Sequence, residues 1–139
     1  MTNSWFLFLL LYLSTLPLSA STTTSILENV KPHSITIIGE SHQRSESVQL
    51  FQKLVEDSLM KFQCVIVGLE IASNQQPVID SVVMSKASVY DIKISTIIDH
   101  PTMRKMIDEF ASLKLKGSCL NIIAIDAGDE IDLRRDEWM

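Results

Sequence analysis

Residues 35–42 read ITIIGESH, and the reading of the apolar half of this stretch decides how large a sheet the chain builds. Ile35, Thr36, Ile37 and Ile38 are all β-branched, and the run lacks the alternation of a half-exposed strand. That pattern predicts a strand over 34–39 with both faces buried, as in a parallel sheet. The chain then leaves the strand through Gly39, Glu40, Ser41 and His42. A carboxylate and an imidazole at the end of a buried strand need solvent or a ligand beside them, because burying either one unpaired is costly.

Downstream, Ser45 is placed to cap a helix and Glu46 sits in its first turn, where negative charge is favoured. Val48, Phe51, Val55, Leu59 and Phe62 recur at spacings of three and four, one apolar stripe of a helix. CVIVGLEI, residues 64–71, is a second strand apolar on both faces. SNQQP interrupts it, and Pro77 is placed to open a second helix carrying Val78, Ile79, Val82 and Val83 on one side. Residues 85–99 have no clear period. A third helix is expected from Pro101, with Met103, Met106, Ile107, Phe110 and Leu113 turned inward and Gly117 as its stop. LNIIAID, residues 120–126, is a third strand, followed by AGDE as a turn. Strand, helix, strand, helices, strand predicts an α/β fold: a mostly parallel sheet flanked by helices and joined by right-handed crossovers.

Upstream, WFLFLLLYLSTLPLSA at residues 5–20 has the length of a signal-peptide core and offers Ala20 at the cleavage point. The expected organisation is a signal peptide over 1–20, a polar tether over 21–33 and one α/β domain over 34–139. Retention of the leader as an anchor is the alternative. With cleavage, no stable membrane span is expected and the protein is exported to a periplasm, an envelope or the exterior. Export would permit a disulfide between Cys64 and Cys119 if their strands are neighbours; two small buried hydrophobes is the preferred alternative. The net charge is −5, and no charged residue precedes Glu28. An acidic chain with no basic run argues against nucleic acid and against an anionic membrane surface.

Each predicted strand ends on an acid: Glu40, Glu70 and Asp126. In a parallel sheet those ends share one edge, and open α/β folds bind ligands outside the carboxyl ends of their strands. His42, two residues beyond Glu40, would point to the same side of an extended backbone. Such a set suits a divalent metal, general-base work by His42, or carboxylates that raise one another's pKa. The plainer alternative is that each acid caps a helix or pairs with a surface arginine. His33 and His100 read as structural or solvated, and Met84, Met103 and Met106 as core filling. The sequence has no glycine-rich phosphate loop, C-x-x-C pair or G-x-S-x-G elbow, which disfavours nucleotide binding and the commonest serine-hydrolase plan.

GESH after the first strand, GLE at the end of the second and RRDEWM after the third resemble motifs of the erythromycin-esterase-like, ChaN-like and Tiki/TraB superfamily. Gly39, Glu40 and His42 match its G-E-x-H signature, Glu70 its second-strand glutamate, and Arg135, Asp136 and Met139 its R-D-x-x-M segment. The resemblance implies a site of Glu40, His42, Glu70 and Arg135, to which the strand-end reading adds Asp126, with a small-molecule or peptide ligand. Its esterase-like branch implies ester hydrolysis, with His42 activating water that Glu40 and Glu70 position. The Tiki-like branch implies metal-dependent peptide hydrolysis with Glu40, His42 and Glu70 as ligands. The ChaN-like branch implies an envelope protein that binds haem, His42 being the cofactor-binding residue. Family domains are longer, so residues 34–139 are expected to form the N-terminal part of one, and a catalytically silent fragment is a further alternative. A shortened sheet would expose an edge strand and favour a homo-oligomer.

Overall fold

A computed structural model describes residues 21–39, 41, 42 and 44–127. The leader, Glu40 and the RRDEWM segment, with Arg135, therefore lie outside the described residues. In chain order the elements are α1 (Ser21–Asn29), α2 (Ser45–Phe62), β1 (Cys64–Ala72), α3 (Gln76–Val83), α4 (Pro101–Leu115) and β2 (Cys119–Asp126). Short 3-10 turns cover Ser73–Gln75 and Val89–Asp91. The α/β class is as expected: β1 and β2 pair in parallel, and helices pack against them.

Three expectations are corrected. Residues 34–39 are not in the sheet; they run as irregular chain, with Ile35 92% and Ile37 89% exposed. A β-branched run favours extended backbone, but a strand also needs an edge to bond, and here it has not taken one. Next, the polar stretch expected to be a tether folds as α1, where Ile26 is half-buried and the Leu27 carbonyl accepts a hydrogen bond from Lys61 Nζ at 2.7 Å. Finally, the strands are covered on one face only. Val67, Leu69 and Ile71 of β1 and Leu120 and Ile122 of β2 are buried, whereas the alternate Ile66, Ile123 and Ile125 are exposed.

The covered face and three helices make one core. Val48 and Val55 of α2, Ile79 and Val82 of α3, and Met103, Met106, Ile107 and Phe110 of α4 pack with the sheet residues. Phe51 and Phe110 meet edge to face with ring centroids 6.5 Å apart. Among the described residues no polar or charged residue is buried. Met84, expected as core filling, is exposed just past α3, while Met103 and Met106 are buried as expected. Ser45 opens α2, but no side chain caps that helix. Gly117 does stop α4: with φ of 95° it lets the Ser118 N–H reach the Leu113 carbonyl at 3.1 Å.

Gln63 alone separates α2 from β1, so the chain reverses and α2 runs back along the strand it precedes. Eighteen helical residues rise about 27 Å and nine strand residues about 30 Å, so the start of α2 lies toward the end of β1.

Residues 85–99, without period in the sequence, are organised by capping and by one arginine. The Ser88 hydroxyl accepts from the Tyr90 N–H, and the Asp91 carboxylate accepts from the Ser88 N–H. From α4, Arg104 holds Asp99 by two bonds of 2.7 Å, donates to the carbonyls of Val89 and Ile92, and lies over the Tyr90 ring. This side-chain hydrogen bonding by Arg104 holds the Asp99 carboxyl below the ordinary carboxylate range, against the smaller opposing effect of burial. A depressed folded-state pKa stabilises above the unfolded value near 3.8 and is lost as pH falls through the folded value. Asp99→Asn is therefore expected to remove part of the acid sensitivity of unfolding below about pH 4, as read in urea midpoints across pH. Identical acid profiles for both proteins would exclude this role.

Candidate functional site

The register of the sheet sets its two ends apart in chemistry. Cys64 pairs with Cys119 at the amino ends of the strands, and the two are joined by a disulfide with Cα atoms 4.6 Å apart. This corrects the preferred reading of two buried hydrophobes, since both cysteines are exposed and bonded. In a disulfide neither sulfur is a nucleophile or a metal ligand. The cysteines lie at the sheet's opposite end from the acids.

At the carboxyl ends stand Glu70 and Asp126. Register runs evenly to Leu69 opposite Ala124, then shifts, so that Ala72 stands opposite Asp126. β1 thus carries one more residue than β2 at Glu70–Ile71, a bulge of the kind that re-aims a side chain at a strand end. Glu70 is exposed and shares the open face with Ile66 and Gly68. Asp126 is half-buried and continues the series of Leu120 and Ile122 on the covered side. The two acids share a rim, one on each face.

His42 is exposed in a turn three residues before α2, and the Arg44 N–H closes that turn on the Ser41 carbonyl at 3.2 Å. His42 precedes α2, whose first turn lies toward the end of β1. Of the expected site residues, Glu70 and Asp126 end neighbouring strands and His42 stands before α2, while Glu40 and Arg135 lie outside the described residues. Among the described residues no three His, Cys, Asp or Glu side chains come close enough to hold a metal ion.

One residue that the sequence reading passed over also shapes this rim. Gln76, the first residue of α3, donates from Nε2 to the Ile122 carbonyl at 3.1 Å and accepts at Oε1 from the Ala124 N–H at 2.7 Å. One side-chain amide thus bonds β2 as a neighbouring strand would, and occupies its outer edge. Nothing in the local pattern announces this, because the partners are 46 and 48 residues away.

Elsewhere, a shallow hollow between α1 and the irregular segment is lined by Ser25, Ile26, Asn29, Val30 and Thr36 and has no titratable group. Among the described residues no helix is long and apolar enough to cross a membrane. In comparisons with known proteins, the chain matches no family model, no curated protein and no solved structure.

Proposed function

We propose that this protein is an exported hydrolase of ester or peptide bonds, related to the erythromycin-esterase-like, ChaN-like and Tiki/TraB superfamily. The observation that supports the reading is that Glu70 and Asp126 end neighbouring parallel strands, and that His42 precedes α2, whose first turn lies toward that same end. Ligands of open α/β folds bind outside the carboxyl ends of the strands. His42 takes a proton from the attacking water, and Glu40 and Glu70 orient the water and the imidazole. In a metal-dependent form, Glu40, His42 and Glu70 hold a divalent ion, which supplies activated water. The disulfide supports export, since such bonds persist in oxidising compartments.

His42→Ala is expected to lower hydrolysis by about 100-fold or more, the usual range for a lost general base, with an unchanged melting transition. His42 is exposed and stands in a turn outside every helix and strand. Unchanged turnover on ester and peptide panels would reject the proposal, and loss of turnover on chelation would select its metal-dependent form.

A further inference from the structure

We propose that residues 34–39 dock as a third parallel strand on the free edge of β1, so that the two-stranded pair is the unzipped form of a three-stranded sheet. Four observations carry this. The segment is extended-favouring and exposes two large apolar side chains, Ile35 and Ile37. Burial on a sheet edge is what such a run gains.

The elements that flank it lie toward opposite ends of β1. The segment starts after α1, which is tied to the last turn of α2 through the bond from Lys61 to Leu27, and a turn over 31–34 follows. Five residues then lead to the first turn of α2. Since α2 runs antiparallel to β1, a chain crossing from its last turn to its first travels in the direction of β1. Residues 40–44 span up to about 17 Å, ample for a crossing from the sheet layer to the helix layer.

Handedness then picks the edge. The connection from β1 through α3 and α4 to β2 covers the same sheet face as α2. Two right-handed crossovers on one face advance the sheet in one direction, which places the earlier strand on the far side of β1 from β2. That edge of β1 has no partner among the described residues, whereas Gln76 occupies the outer edge of β2.

Docking would bring Gly39, and with it Glu40 and His42, beside the end of β1 at Glu70. This consequence deepens the proposed function and rests on it; the docking itself does not.

Hydrogen–deuterium exchange on the full oxidised chain, at several protein concentrations, tests the inference. The alternate amides of residues 35–39 that face β1 are expected to exchange at least about 100-fold more slowly than in an unstructured peptide, independently of concentration. Of Ile37→Pro and Ile38→Pro, the one that removes a ladder donor is expected to abolish that protection while α4 and β2 stay protected. Exchange of 35–39 at peptide rates in the folded wild-type protein overturns the inference. So does protection that rises with concentration, which would put a second copy's strand on the edge. The wild-type result decides even if the proline variant does not fold. A protected strand with unaltered hydrolysis in His42→Ala keeps this inference and removes the function; hydrolysis that needs His42 without a protected strand does the reverse.

Discussion

Replacing both cysteines, Cys64→Ser with Cys119→Ser, is expected to lower unfolding stability by about 2–4 kcal/mol. The bond closes a loop between residues 55 apart, and the chain-entropy relation gives about 4 kcal/mol for a loop of that size. The cysteines are register partners in neighbouring strands and are exposed, so their loss opens no cavity. Single domains are stable by about 5–15 kcal/mol, so the expected loss is a large fraction of the whole. It falls on the element least able to absorb it, since a two-stranded sheet covered on one face has few other ties. Urea unfolding with and without reductant measures the difference. A change below about 1 kcal/mol would mean that the pair holds its register without the bond.

The second large effect is expected at Arg104. Its guanidinium is nearly covered, and it joins Asp99, the carbonyls of Val89 and Ile92, and the Tyr90 ring to α4. Arg104→Ala leaves the partly exposed Asp99 and two carbonyls without their donor, at a cost of about 1–3 kcal/mol. Arg104→Lys is expected to recover less than half of that, because an ammonium cannot reproduce a planar fork bonded on two sides. The loss should appear first in residues 89–99, where exchange of amides speeds up before the rest of the fold yields. If Arg104→Ala melts like wild type, Ser88, Asp91 and the buried Ile92 and Ile98 suffice to order that stretch.

Much of this fold is legible from periodicity alone. The stripes of α2 and α4, the stop at Gly117 and the runs that become β1 and β2 all follow from side-chain spacing and glycine chemistry. What escapes is long-range. Residues 34–39 read as a strand, but a strand is a pairing, and pattern does not say whether an edge has been taken. The open face escapes for a related reason: Ile66, Ile123 and Ile125 read as buried, yet α2, α3 and α4 all join the core on the other face. The contacts of Arg104 and Gln76 have no periodic trace, being set by where tertiary packing delivers one side chain. One local signal was available: Ser88 with Asp91 three residues on is a capping box. Of the site, the placement of Glu70 and Asp126 at strand ends was legible, since a strand's direction is enough to put its last acid on the rim. Their division between two faces was not, because it depends on the register shift beside Glu70.

The central claim is that the residues around His42 and the end of β1 share one rim. Nuclear Overhauser contacts in the full oxidised chain report on this most directly. The account predicts contacts linking Gly39, Ser41 and His42 with Glu70, Ile71 and Ala72. Contacts of Gly39 and His42 confined to α1 and the first turn of α2, with none to β1, would contradict it.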